Sequence, residues 1–75
     1  MPRLPRIGAR EVARALERAG FVLSRTRGAH RIYRHSETGR RVTVPYHRGR
    51  LIPPGTLENI LKEAGITVGE LEELL

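Results

Sequence analysis

The hydrophobic pattern of this chain changes period at a single residue, Gly20. Before it, Ala9, Val12, Ala13 and Leu16 recur at the three- and four-residue spacing of one helical face, with Arg10, Glu11, Arg14, Glu17 and Arg18 opposite. Glu11 and Arg14, three apart, are spaced to pair. A helix over 7–19 is expected, stopped by Gly20, since glycine readily takes the left-handed conformation that ends helices. After Gly20 the period is two. "FVLSRTR" (21–27) sets Phe21 and Leu23 on one face, and "HRIYR" and "RRVTVP" are two further strand candidates. "HSETG" (35–39) between them is turn-rich and fits a hairpin. Val42 and Val44 then point to a core with Arg41 and Thr43 outside, and Pro45, which cannot donate to a ladder, closes the strand.

Beyond it, "YHRGRLIPPG" (46–55) is a loop by its Gly and Pro content. A second helix is expected from about Pro54 to Ala64, with Leu57, Ile60 and Leu61 buried and Gly65 as its stop. In "ITVGELEELL", Thr67 and Glu70 form a capping-box pattern, and Ile66 with Leu71 has the spacing of a hydrophobic staple. A short third helix with Leu71, Leu74 and Leu75 inward follows. The order predicts an α+β two-layer sandwich, α-β-β-β-α(-α), with a three-stranded antiparallel sheet covered on one face by helices. Double-stranded-RNA-binding domains share that order. A chain of 75 residues makes one domain, here a core over about 8–66 and a short terminal helix over 67–75. At this size only ~60% of the unfolded surface is buried, and with three aromatic residues the core must be aliphatic.

Charge narrows the partners. Residues 1–50 carry thirteen arginines against Glu11, Glu17 and Glu37, a net of +10, whereas residues 51–75 carry Lys62 against five glutamates, a net of −4. A basic body points to a polyanion, and arginine's planar fork suits bidentate phosphate contact better than lysine's ammonium. There is no cysteine, so disulfides and thiolate zinc sites are excluded. No apolar run reaches the ~20 residues of a membrane span, and "MPRLPRIGAR" lacks the apolar stretch of a signal peptide. A cytoplasmic protein is the expectation.

Three stretches carry a family likeness: the Gly-x-His turn (Gly28, Ala29, His30), "VTVPYH" (42–47) and "GTLENILKEAGI" (55–66). In this order and at these separations the chain resembles the HicA family of small toxins over about residues 8–66. The resemblance implies an endoribonuclease that cuts mRNA, has no cofactor or metal, and is held silent by a HicB-like antitoxin. It assigns the catalytic histidine to His30. The family's turn usually reads Gly-Ser-His, where this chain has Ala29. The stretch before "GTL" is often lysine-bearing in relatives, where this chain has Pro53 and Pro54, which shifts phosphate contact toward Arg48 and Arg50.

The chemistry supports that assignment independently. RNA carries its own nucleophile, the 2′-hydroxyl, so cleavage needs a proton taken from it, a proton given to the departing 5′-oxygen, and compensation of charge on phosphorus. Imidazole, with an ordinary pKa of ~6.5, suits either transfer near neutrality. Arg25, Arg27, Arg31 and Arg34 are the local charge partners, and Gly28 lets the backbone come close to a phosphate. The expected RNA contacts are Arg25, Arg27, Gly28, Arg31, Arg48 and Arg50. One histidine cannot serve as acid and base in a single step without a shuttle, so His47 is the candidate second group. Strand parity leaves the face of His30 open: if Tyr33 packs inward His30 faces solvent, and if Ile32 does, His30 lies helix-side. The alternative functions are a non-catalytic RNA-binding module (a decayed toxin included) and a basic face that serves only to bind an acidic partner protein.

Overall fold

A computed structural model describes residues 3–75. The elements run α1 (Ala9–Arg18), β1 (Phe21–Arg27), β2 (His30–His35), β3 (Arg41–Pro45), α2 (Pro54–Ala64) and α3 (Val68–Leu74). The strands form an antiparallel meander in the order β1-β2-β3. Both α1 and α2 pack against one face of it, and α3 packs on α1. The shortest dimension is 17 Å, which two layers account for. The predicted α+β architecture and element order are present.

The core is aliphatic except for two rings. Val12, Leu16, Val42, Val44, Leu57, Ile60 and Leu71 are buried, with Phe21 and Tyr33 among them. Each large side chain so removed from water contributes about 1.5–3 kcal/mol. Tyr33 resolves the parity question, because at 2% exposure it is the inward residue of β2. Burial pushes its hydroxyl pKa up, partly offset by Arg31 nearby.

Local chemistry sets the element ends. Gly20 takes φ +101° just after α1, and Gly65 takes φ +72° as the left-handed cap of α2. Pro54 opens α2, where its missing N–H costs nothing because first-turn donors have no helical partner. Thr67 and Glu70 close the expected box at α3: Thr67 N–H donates to Glu70 Oε1 at 2.9 Å, and Glu70 N–H donates to Thr67 Oγ1 at 3.1 Å. The Thr67 backbone donor, then its hydroxyl, hold the Glu70 carboxyl below the usual range.

Three expectations are corrected. Leu75 is not inward but 44% exposed, because α3 ends at Leu74. α1 begins at Ala9 rather than Ile7: Ile7 is drawn into pairing with the later loop, where its carbonyl accepts from Ile52 N–H at 2.9 Å. Glu11 folds back to accept from Gly8 N–H, and no hydrogen bond joins it to Arg14 among the described residues. That contact is the reciprocal half of a capping box, in which the third helical residue satisfies the N–H of the cap residue itself.

Candidate active site

The β1–β2 connection is a two-residue turn, Gly28-Ala29, with Arg27 paired to His30 across it. Gly28 sits at φ +55°, a conformation that hairpins of this length require at the first turn position and that glycine adopts without steric cost. The turn sets His30 as the first residue of β2, paired on its other side with Pro45 of β3. His30 is exposed, on the sheet face turned away from the helices.

Register defines what shares that face. Residues directly opposite in antiparallel strands point the same way. One row is Arg27, His30 and Pro45, the next Arg25, Ile32 and Thr43, and the third Val22, Arg34 and Arg41. The outer face therefore carries four arginines with His30 in its end row, and no carboxylate stands at any of these positions. Sequence alternation alone cannot produce this arrangement. Period two from Phe21 would send Leu23, Arg25 and Arg27 to the core side together. The register shifts between Leu23 and Arg25, leaving Ser24 as a bulge, and the shift swings Arg25 and Arg27 onto the face of His30.

Arg31 lies on the opposite face. Its guanidinium carbon sits 3.7 Å from the centroid of the Tyr46 ring, a cation–π stack on the helix side of the sheet. Tyr46 N–H in turn donates to the Ala29 carbonyl at 2.6 Å, tying the exit of β3 to the hairpin turn. The loop after it brings His47, Arg48 and Arg50 to the same end of the sheet as His30. These three are exposed, and the loop folds through Gly49 at φ +72° with Arg50 N–H donating to the His47 carbonyl at 3.3 Å. With Gly8 and Arg10 at the start of α1 they line an open cleft. The predicted residues thus fall into two groups at one end of the molecule, Arg25, Arg27, Gly28 and His30 on the hairpin and His47, Arg48 and Arg50 on the loop, with Arg31 between them on the inner side.

The remaining histidine is structural. His35 Nδ1 accepts from Glu37 N–H at 3.1 Å and Thr38 N–H at 3.2 Å, which fixes the hydrogen on Nε2, 3.0 Å from the Ala19 carbonyl. Its ring meets Phe21 edge to face at 4.9 Å and 86°. Two arginines are likewise occupied. Arg18 donates to the Leu74 carbonyl at 2.7 Å and to that of Leu75 at 3.2 Å, and Arg40 donates to the Glu63 carbonyl at 3.2 Å. Both stabilise helix C-termini, where carbonyls lack partners and positive charge is favoured. Among the described residues no cluster of three or more His, Cys, Asp or Glu side chains is placed to hold a metal ion, and no helix is long and apolar enough to cross a membrane.

A three-stranded antiparallel sheet with helices on one face and an exposed histidine among arginines on the other defines a small, basic α+β protein. The family comparison gives that class a name. The sequence model of the HicA toxin of bacterial toxin-antitoxin systems matches residues 9–66. The chain belongs to the HicA toxin family of bacterial toxin–antitoxin systems, a family whose toxins are generally ribonucleases. A search of curated proteins finds no match.

Proposed function

We propose that this protein is a mRNA-cleaving endoribonuclease in which His30 moves the proton and the arginine face holds the phosphate chain. The observation that carries the reading is the exposure of His30 in one row with Arg27, beside a glycine turn that leaves space above the backbone: a Cβ at Gly28 would meet no atom within 4 Å. In the reaction His30 removes the proton from the 2′-hydroxyl, whose oxygen attacks the adjacent phosphorus. The P–O5′ bond breaks, and the departing 5′-oxygen takes a proton from a second group. His47, on the loop tied to the Ala29 carbonyl through Tyr46, is the candidate for that role. Arg27 and Arg25 offset charge that builds on the phosphoryl oxygens. RNA supplies its own nucleophile, so the scheme calls for no metal and no cofactor. The products are a 2′,3′-cyclic phosphate and a 5′-hydroxyl.

The partner in this reading is a HicB-like antitoxin that silences the toxin by covering the His30 face with complementary acidic charge. The test is end-group analysis of RNA digested by the purified protein. Cyclic phosphate at the 3′ ends, absent when the same RNA is 2′-O-methylated, supports the mechanism. Products with 3′-hydroxyl ends would contradict it, and intact RNA that stays bound would favour a non-catalytic binding module.

A further inference from the structure

The proton-transfer scheme uses only the His30 end of the outer face, yet the cations continue along the sheet. Arg34 and Arg41 are directly opposite one another in the third row, four residues along β2 from His30. Like charges set directly opposite across strands destabilise a sheet, and no carboxylate stands at any position of the three rows. Among the described residues, the arginines whose side chains donate to backbone carbonyls, Arg18 and Arg40, lie elsewhere. Arg34 and Arg41 make no such bond among the described residues and are exposed. Between this row and His30 stands half-buried Ile32, and beside Arg34 is Val22, 60% exposed. Alternate residues on a strand are ~7 Å apart, so the rows repeat on the scale of an extended polynucleotide backbone. From His30 to Arg34 the distance along the strand is ~13 Å.

We infer that the outer face is a binding tract for single-stranded RNA, in which Arg34 and Arg41 hold phosphates of nucleotides flanking the cleavage site while Ile32 and Val22 lie under the bases. The inference rests on the proposed ribonuclease function for the position of the scissile bond, but its test does not. Charge selects a polyanion, and an open sheet face with cations in successive rows and exposed apolar side chains between them selects an unpaired strand over a duplex, whose bases are unavailable for such contact. An acidic protein laid on the same face is the competing occupant.

The test measures binding of 2′-O-methyl oligouridines, which lack the nucleophile, to the wild type and to the Arg34→Gln/Arg41→Gln variant across a salt series. Each single-strand phosphate neutralised adds a slope of roughly −0.7 to log K against log salt. The variant should therefore lose about 1.4 from the slope on a hexamer and nothing on a dimer, while folding as the wild type does. A duplex of the same length should bind the wild type more weakly than the hexamer. An unchanged slope on the hexamer, or duplex binding as tight, overturns the tract. So does an unchanged slope together with lost affinity for an acidic antitoxin, which would give the face to protein. If the slope falls as expected but unmodified RNA is never cut, the tract stands and the ribonuclease function fails.

Discussion

His30 and His35 begin and end the same strand, and they lead opposite lives. Five residues apart, they fall on opposite faces of β2. His35 turns toward the helices, where Ala19, Glu37 and Thr38 occupy both ring nitrogens and Phe21 abuts the ring. His30 turns to solvent and makes no side-chain hydrogen bond among the described residues. The same contrast extends to the faces themselves: Val42, Val44 and Tyr33 are sealed beneath α1 and α2, while the other side carries four arginines. Residue type alone therefore says little about a histidine's work. Parity and partners decide it.

The sharpest way to break this contrast is to place outer-face chemistry on the inner face. Val44→Arg puts an unpaired guanidinium at a position with 0% exposure and should cost more than 4 kcal/mol, enough to prevent folding. Thr43→Arg, one residue away but outward, should stay within about 0.5 kcal/mol of wild type. Circular dichroism melts of the two variants check the pair. Equal losses would mean that the sheet does not have a solvent face.

Next comes the turn that His35 holds. Gly20 has φ +101°, and a Cβ there would sit 2.8 Å from His35 Nε2. Gly20→Ala should cost about 1–3 kcal/mol, and His35→Ala about 1–3 kcal/mol through its lost hydrogen bonds and its lost packing on Phe21. Because both act on one contact, the double variant should lose less than the sum in a denaturant-unfolding cycle.

A smaller effect separates structural arginines from surface ones. Arg18→Met removes the side chain that bonds the carbonyls at the end of α3 and should lower stability by about 0.5–1 kcal/mol, with RNA affinity nearly unchanged. Arg27→Met should do the reverse. The smallest effect concerns pH. The folded-state pKa of Glu70 is lowered by its bonds to Thr67, so its contribution is present above the ordinary carboxylate range and is lost as pH falls through the folded value. In Glu70→Gln the acid limb of the stability curve should be shallower, with no change above neutrality. A steeper limb would mean that the cap is not the group titrating.

The sequence made most of this fold legible because its signals agreed at every level. The period change at Gly20, the proline that closes β3, the glycine that stops α2 and the Thr67–Glu70 box each fix one boundary, and together they leave one topology. The site was less legible. Nothing local marks Ser24 as a bulge, so alternation alone sends Arg25 and Arg27 to the wrong face. Arg31 reads as one more phosphate ligand until pairing with Val44 shows it on the helix side, over Tyr46. Alternation with Val42 and Val44 puts Arg41 outside, but its row with Arg34 exists only through the β2–β3 register. Secondary structure follows from spacing along the chain, whereas a face shared by three strands depends on registers set by turns and bulges.

The most direct measurement is the single-turnover cleavage rate of one unstructured RNA by wild type, His30→Ala and His35→Ala, at a temperature where all three are folded. The account predicts a loss of about 10²–10⁴-fold for His30→Ala and a rate within a few-fold of wild type for His35→Ala. A folded His30→Ala protein that cuts at the wild-type rate would contradict it.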